Sequence, residues 1–460
     1  MAGGQKVWWR FSIAYGLRPI AYSIVILRNR LRLVEIQGLV RLYFRDDGRV
    51  MNRQPFETPP QWWPPKLSPF MIRVWRSLRR YQQIRQHRLL DIDVRGAEHL
   101  QAALAAGQGV VITPNHSSHA DSYVLYHAAE VLACPLYFMT AWQVFGMSSR
   151  LESLVMQHHG CFSVDREGTD MRAFKQAVEI VQQRPHPLVI FPEGEVYHLN
   201  ERITPFREGA AAIAMTAARK AERPITVVPC AIHYKYQTDP TPELLQVMQR
   251  LEEQISWRVR TDLSLHDRIY RFADAMIALK EVEYLGRSRS GPLAERVADL
   301  SDIILQRLAE RHGVEEPEGL IIPERVKNLR RQVISRLDEL DKTDAAREPL
   351  VHDMDDLFLV VQMFSYPGNY VSERPSIERI AETIDKFEED FLNAPSAGIR
   401  GTRNAVVTFG DPLPVPVTRD RATGAELTRQ LEVRVQRLMD ETLAATPAVE
   451  ELRRAVGSRQ

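Results

Sequence analysis

The chain has 460 residues, of which 44% are apolar and 26% charged, and its formal net charge is +1. This composition is typical of a soluble globular protein of two or three domains. No segment carries the ~20 consecutive apolar residues of a spanning helix, which excludes a protein built from such helices. The three cysteines are far apart in the chain, fit no zinc-ligand spacing and indicate a reducing compartment.

The near-neutral total conceals a strongly basic front segment. Residues 1–90 contain 17 Lys and Arg against 4 Asp and Glu, a balance of +13, whereas the remainder carries 43 against 55, or −12. Five of the seven tryptophans also lie in these 90 residues. Arg with Trp is what anionic lipid headgroups attract, so we predict a peripheral position on the cytoplasmic face of a membrane. A basic surface that only improves solubility is the alternative.

The elements begin with this basic segment, residues 1–67, which we interpret as a membrane-associating region followed by a linker. Its most apolar part, from Phe11 to Leu27, is too short and polar to span a bilayer. Ser68 followed by Pro69 predicts a helix start, and the helix should run to about residue 86. Its apolar face is predicted to consist of Phe70, Val74, Leu78, Tyr81 and Ile84. A strand should follow at LDIDVRG.

Residues 68–239 read as alternating strands and helices. The strands are GVVITPN, CPLYFMTAW, GCFSVDR, PLVIFPEG and ITVVPCAIHY. Helices are predicted at about 144–158, after a Thr169 cap, and at FREGAAAIAMTAARKA. Such alternation predicts an α/β fold, a mixed sheet flanked by helices.

Strand patterns stop between about 240 and 398, where we predict a large helical insertion before the last strand. Apolar stripes at helical spacing indicate a bundle more than a coiled-coil seam. The stripes are Leu265, Ile269, Phe272, Met276 and Leu279; Val326, Leu329, Val333, Leu337 and Leu340; and Ile377, Ile380, Ile384, Phe387 and Phe391. A closing strand (NAVVTFGDPLPVP) and a helix fill residues 399–446, and 447–460 form a tail.

Two short blocks carry the chemistry. TPNHSSHADS places His116 five residues before Asp121, and FPEGE delivers Glu193 and Gly194 to a loop after an apolar strand. A neutral imidazole can remove a hydroxyl proton, and a carboxylate can orient it and stabilise the imidazolium. Acyl transfer from a thioester to an alcohol needs such a base and no protein nucleophile.

These blocks resemble the glycerolipid acyltransferase family, which includes lysophosphatidic acid and glycerol-3-phosphate acyltransferases. HSSHAD looks like its first motif, GCFSVDR its second, FPEGE its third and VVPCAI its fourth; VVTFGDPLPVP resembles its closing strand. The resemblance covers about 90–235 and 400–445. It implies O-acyl transfer from acyl-CoA or an acyl-carrier protein to a lysophospholipid or glycerol-phosphate-like acceptor, with no cofactor, no metal and no nucleic-acid partner.

The resemblance also implies roles for individual residues. His116 would be the base, Asp121 its partner, and Arg166, Glu193 and Gly194 would line the acceptor site. Asn115 is predicted to contact substrate as well, and Gly194 to allow a close backbone approach. The third motif usually continues with Thr and Arg, where this chain has Glu195 and Val196. We expect Arg202 or Arg207 to supply the missing cation.

Other interpretations of the sequence stay open. His116 could cap a helix or fill the core, and we read His119 as a bystander because its offset from Asp121 is wrong. His116, His119 and Asp121 could instead bind a metal, but this needs a third ligand at suitable spacing, and the nearby sequence supplies none. The chain could also be a lipid hydrolase, or a lipid-binding scaffold on an acyltransferase fold. For the insertion, a self-association surface, a cover for an acyl tunnel and simple padding remain.

Overall fold

The computed structural model describes residues 59–445, except 167, 169, 318, 372–374, 393, 395 and 419. The predicted membrane-associating segment up to residue 58 and the tail after residue 445 lie outside the described residues, and so does Thr169. Within the described part of the chain, no helix is both long enough and apolar enough to cross a membrane.

Eight strands form one mixed sheet around which the molecule is organised. β2 is buried at all six positions, as expected for a strand covered on both faces. The strands are β1 (Leu89–Arg95), β2 (Gly109–Pro114), β3 (Tyr137–Ala141), β4 (Cys161–Val164), β5 (Leu188–Val189), β6 (Ile225–Tyr236), β7 (Arg403–Phe409) and β8 (Leu413–Pro414).

The strand order is β1-β7-β6-β2-β5-β3-β4, with β8 pairing β6 beyond this path. From β6 to β4 every pairing is parallel, and β1 is parallel to β7. Only β7 and β8 run antiparallel to β6. The predicted mixed α/β sheet is therefore confirmed.

Fifteen helices are described, and apolar clusters on the two sides of the sheet include residues from several of them. Those before β6 are α1 (Pro69–Val74), α2 (Arg76–Arg85), α3 (Ala97–Ala105), α4 (Asp121–Val131), α5 (Trp142–Met147), α6 (Arg150–His158), α7 (Met171–Gln183) and α8 (Gly209–Ala218). The rest are α9 (Thr241–Gln254), α10 (Leu265–Leu285), α11 (Leu293–His312), α12 (Ile322–Asp338), α13 (Arg347–Phe364), α14 (Ile377–Phe391) and α15 (Arg421–Ala444).

Helices α9 to α14 form the helical insertion, an excursion between two neighbouring strands. β6 and β7 pair directly, and the Gln237 N–H donates to the Thr402 carbonyl at 2.7 Å where the excursion leaves and returns. The insertion has apolar clusters of its own, one of them built around Leu300, Leu329 and Leu357. It is thus a bundle that leaves the sheet and returns to it at one point, and the predicted helical region before the last strands is confirmed.

The first predicted helix is broken and turned differently from the expectation. Ser68 caps α1 as predicted, but a turn at Trp75 separates α1 from α2. Phe70 and Val74 of the predicted apolar face are 71% and 53% exposed, whereas Arg79 is buried. The Arg79 guanidinium contacts Glu130 and the His159 ring nitrogen, so a polar network and not apolar periodicity sets the face of this helix.

Smaller corrections concern helix ends and one stripe. The predicted helix at 144–158 is two helices, divided before a capping box formed by Ser149 and Glu152. The side chain of Asp170 caps α7 by accepting the N–H groups of Arg172 and Ala173. Leu279 in the first predicted stripe of the insertion is 62% exposed, while Ile269 and Phe272 of the same stripe are buried.

Candidate active site

His116 and Asp121 lie at the end of β2, where the strand passes through a loop into α4. The His116 Nδ1 is 2.8 Å from the Asp121 Oδ2. Asp121 is fully buried, and its Oδ2 also accepts the Ser118 N–H at 3.1 Å. When the His116 Nδ1 donates to this carboxyl oxygen, the Nε2 of the neutral ring has a lone pair that can accept a proton. The predicted approach of an imidazole nitrogen to a carboxyl oxygen is confirmed.

The imidazole of His116 is held between a fixed partner and open space. Its ring stacks on Phe191, with centroids 4.0 Å apart and an interplanar angle of 23°. The His116 side chain is 23% exposed, although the Asp121 side chain is not exposed at all. A buried acid behind a partly exposed imidazole is the arrangement required of an oriented general base.

Tyr234 is a third member of this group, and no sequence motif indicates it. Its hydroxyl donates to the Asp121 Oδ1 at 2.6 Å from β6. Burial, followed by the charge of Asp121, raises the pKa of Tyr234 well above its usual value, so the hydroxyl remains a donor. Only the register of β6 beside β2 brings Tyr234 to this point, and no local motif records it.

Glu193 connects the loop of the third motif to the backbone of His116. Its Oε1 accepts the His116 N–H at 2.6 Å, and its Oε2 accepts the Thr204 N–H at 3.0 Å and the Thr204 hydroxyl. Burial raises the pKa of Glu193 to about 7 in spite of these donors. Glu193 is only 3% exposed, so this geometry favours positioning of the base over the predicted substrate contact.

Asn115 differs in the same way from its predicted role. It is fully buried, its Nδ2 donates to the Ile232 carbonyl at 3.0 Å, and its Oδ1 accepts the Ile232 N–H at 2.7 Å. The side chain therefore continues the pairing between β2 and β6 beyond the end of β2. Asn115 holds the loop that carries His116, and in this structure it has no surface to offer a substrate.

Gly194 and Arg166 lie together with Arg207, as the motifs predict. The Arg166 Nη1 donates to the Gly194 carbonyl at 2.5 Å. Gly194 has φ +84°, and a Cβ added there would lie 2.8 Å from the Arg207 Nε. Only glycine fits this backbone beside a guanidinium, so the predicted close approach is confirmed.

The insertion contributes one wall of a cleft beside these residues. Tyr197, which lines the cleft, donates its backbone N–H to the His116 carbonyl at 3.4 Å. The acyltransferase side supplies Arg166, Glu195, Tyr197 and Arg207, and α12 and α13 supply Ile322, Pro323, Val326, Lys327, Arg330, Phe358, Val361 and Phe364. Four cations and one acid thus surround a space that also has apolar walls.

Glu195, the acid at the position where a Thr was expected, lies near one of these cations. The Glu195 Oε1 is 3.9 Å from the Arg207 Nη2, and the Glu195 side chain is 11% exposed. Arg202 points elsewhere, because its Nη1 donates to the Asn369 Oδ1 of the insertion. Of the two arginines expected to compensate for the motif, Arg207 is the one in the cleft.

His119 is part of a second cluster next to this site. The His198 Nε2 lies 3.1 Å from the Glu389 Oε2, and the His119 Nε2 lies 3.8 Å from the Glu389 Oε1. The offset of His119 from Asp121 predicts a bystander, and no motif predicts a role for His198 or Glu389. Glu389 comes from α14, 191 residues after His198, so no spacing along the chain could have indicated the cluster.

The site thus combines a mixed sheet with a His–Asp pair at the end of a central strand. Because a fold alone does not define a function, the class of protein follows from the family comparison. Residues 91–233, less than half of the chain, match the family model described as Acyltransferase, the model of the family that includes lysophosphatidic acid and glycerol-3-phosphate acyltransferases. The match runs from β1 into β6 and includes all four motifs. No curated protein matches the chain.

Proposed function

We propose that this protein is an O-acyltransferase that moves a fatty acyl group from an acyl thioester to a lysophospholipid or glycerol-phosphate-like acceptor. The donor is acyl-CoA or an acyl-carrier protein. The observation that carries this proposal is the 2.8 Å contact between the His116 Nδ1 and the buried Asp121 carboxylate within a matched acyltransferase domain.

In the proposed reaction, the His116 Nε2 takes the proton of the acceptor hydroxyl as its oxygen attacks the thioester carbonyl carbon. The carbon–sulfur bond then breaks, and the departing thiolate takes the proton from the imidazolium. Asp121 stabilises the imidazolium between these steps, and the acceptor hydroxyl takes the place that a serine has in a hydrolase triad. A positioned base of this kind contributes about 10²- to 10⁴-fold to the rate.

The charges of the cleft support an anionic acceptor. Arg166 and Arg207 line it together with Lys327 and Arg330 of α12, and Glu195 is the single acid among its lining residues. Guanidinium groups bind phosphate oxygens in pairs, and a lysine adds a point charge. The insertion would thus supply the cations that the altered third motif lacks, and Phe358, Val361 and Phe364 would contact the apolar part of the substrate.

A position on the cytoplasmic face of a membrane is supported by the surface of α1. Phe70 and Val74 are largely exposed there, and Arg73 and Arg76 are exposed beside them. Exposed apolar side chains among cations are suited to the interface of an anionic membrane, where both substrates reside. The basic residues 1–58 would add to this attraction.

The proposal is tested by incubating the purified full chain with radiolabelled acyl-CoA or acyl-carrier protein and a panel of lysolipids on anionic vesicles. We expect a diacyl product with the wild type and at least about 10²-fold less with His116→Ala. His352→Gln, at an exposed histidine of α13, is the matched control and should leave the rate unchanged.

Two outcomes would contradict the proposal. Full activity of His116→Ala would exclude the assigned base. Tight vesicle binding without esterification of any acceptor would favour the alternative of a lipid-binding scaffold, and release of free fatty acid as the main product would favour a hydrolase.

A further inference from the structure

His119, His198 and Glu389 come from three separate parts of the chain and meet at one point. His119 lies in the loop between His116 and Asp121, and His198 lies in the loop that follows the third motif. Glu389 lies in the last turn of α14, in the insertion. The cluster therefore joins the loop of the candidate base to the helical bundle.

The donor atoms of the cluster have the separations of a metal site. One nitrogen from each histidine and one carboxylate oxygen all lie within 4.8 Å of one another. Ligands held about 2.1 Å from a tetrahedral ion stand about 3.4 Å apart. Each imidazole lies near that separation from one oxygen of the Glu389 carboxyl group: the His198 Nε2 is 3.1 Å from Oε2, and the His119 Nε2 is 3.8 Å from Oε1.

Burial makes this group of atoms costly without a ligand. The side chains of His198 and Glu389 are 9% and 1% exposed. The His119 Nε2 is itself buried, and the described part of the chain offers it no hydrogen-bond partner. A buried nitrogen without a partner costs free energy that a bound ion would recover.

We propose that His119, His198 and Glu389 bind one divalent transition-metal ion, of which Zn²⁺ is the best match. Two imidazoles and one carboxylate form a ligand set typical of Zn²⁺ and leave a fourth position for water. Ca²⁺ and Mg²⁺ are unsuitable, because they require a shell of oxygen atoms. Glu389 is 270 residues after His119 in the chain, so no ligand spacing near His119 indicates this site.

The bound ion is a positioning element. It links α14 to the loop that carries His116 and holds the insertion closed over the acyltransferase domain. The link adds to protein contacts of the same kind, in which Glu201 accepts from Ser376 and Arg379 of the insertion. An ion that binds only the folded chain also stabilises it.

The first experiment measures metal in the full-length protein. Elemental analysis of protein purified without chelator should find about one equivalent of Zn²⁺ per chain, and dialysis against a chelator should remove it. The chelator-treated protein should then bind added Co²⁺ with the strong visible absorption of a four-coordinate site. X-ray absorption of the zinc form should show imidazole scattering and no sulfur neighbour.

The variants are Glu389→Gln and His119→Gln, each with circular dichroism to establish folding. Each should weaken Zn²⁺ binding in a competition titration by at least about 100-fold. Asp353→Asn is the matched control, because it alters a buried histidine–carboxylate pair of the insertion, with His312 at 2.8 Å, that has no third ligand among the described residues. Its Zn²⁺ affinity should equal that of the wild type.

Three results would overturn the site. They are wild-type protein that binds neither Zn²⁺ nor Co²⁺, folded variants that retain wild-type affinity, and sulfur in the metal shell. If both variants fail to fold, the stoichiometry, Co²⁺ spectrum and ligand shell of the wild type still decide the question. None of these measurements uses acyl transfer, so failure of the metal site and failure of the proposed function are distinguishable.

Discussion

Asp121 accepts hydrogen bonds through both of its oxygens, although its side chain is fully buried. His116 and the Ser118 N–H meet one oxygen, and Tyr234 meets the other. A buried carboxyl group that accepts from three donors is held in one orientation. The orientation of the His116 ring is therefore fixed before any substrate arrives.

This arrangement predicts the effect of Asp121→Asn on catalysis. The amide would present an N–H or a neutral oxygen to His116 and would no longer stabilise the imidazolium or fix its tautomer. We expect kcat for acyl transfer to fall by about 10³- to 10⁴-fold with little change in KM for the acceptor. Steady-state kinetics with a saturating acyl donor measure both constants.

Tyr234→Phe provides the comparison for that prediction. It removes one hydrogen bond to Asp121 but leaves the charge and the contact with His116, so kcat should fall only about tenfold. An equal loss in the two variants would show that Asp121 acts by holding the fold together and not through the imidazole.

At the scale of residues, the sequence predicts contacts between side chains that belong to one motif. His116 and Asp121 are five residues apart, and their pairing follows from a strand that ends just before a helix. Tyr234 and Glu389 belong to the same neighbourhood but depend on strand register and on the docking of the insertion. Such long-range packing leaves no periodic or spacing signal in the chain.

At the scale of elements, α12 is unusual because one face contributes to the bundle core and another to the cleft. Val333 and Leu337 are buried in the insertion, as the predicted stripe requires, whereas Lys327 lines the same cleft as Arg166 and Arg207. A helix added to a domain can in this way alter the site of that domain without changing its motifs.

Lys327→Gln should therefore weaken binding of a phosphate-bearing acceptor. Loss of one cation near a phosphate should raise KM for a lysophospholipid about three- to tenfold and leave kcat nearly unchanged, because the charge contributes equally before and during the reaction. KM for an uncharged monoacylglycerol should not change.

Lys280→Gln is the control for this prediction, since Lys280 lies on α10 of the same insertion and pairs with Glu283 at the surface. A rise in KM for both acceptors, or an equal rise in both variants, would contradict a role of Lys327 in binding the headgroup.

The elements themselves follow from the sequence better than their orientation does. Periodicity locates the strands and the bundle, but it does not account for the exposed Phe70 and Val74 of α1 or the buried Arg79 of α2. There a buried guanidinium, that of Arg79, is satisfied by Glu130 and the His159 ring and outweighs the apolar preference of Phe70 and Val74. A hydropathy pattern cannot predict the burial of a cation such as Arg79, because that burial depends on ion-pair and hydrogen-bond partners elsewhere in the chain.

At the scale of the whole molecule, two buried imidazoles and one partly buried imidazole are expected to make stability depend on pH. Burial lowers the pKa of His87, His159 and His233 to about 4, from a usual value of 6.5. Protonation then favours the unfolded chain, so their contribution to stability is complete above pH 6.5 and is lost as the pH falls towards 4. The free energy of unfolding should decrease over that interval, by at most about 3 kcal/mol for each imidazole.

Urea denaturation at several pH values measures this slope, and His159→Phe tests its origin. The variant removes a titrating ring between Arg79 and the Val155 carbonyl, so the difference in stability from the wild type should shrink as the pH falls from 6.5 to 4. His352→Gln, at the surface, should keep the wild-type slope. A difference that is constant with pH would refute a buried neutral His159.

The position of β7 between β1 and β6 has a consequence for synthesis on the ribosome. β1 pairs with β7 alone among the described strands, and residues 403–409 leave the ribosome about 310 residues after residue 95. At ~5–20 residues per second this delay is roughly 15–60 s. β1 lacks its partner throughout that time, and one edge of β6 is unpaired from the synthesis of residue 236 onwards. Chaperone binding to these two strands should therefore end when translation is complete.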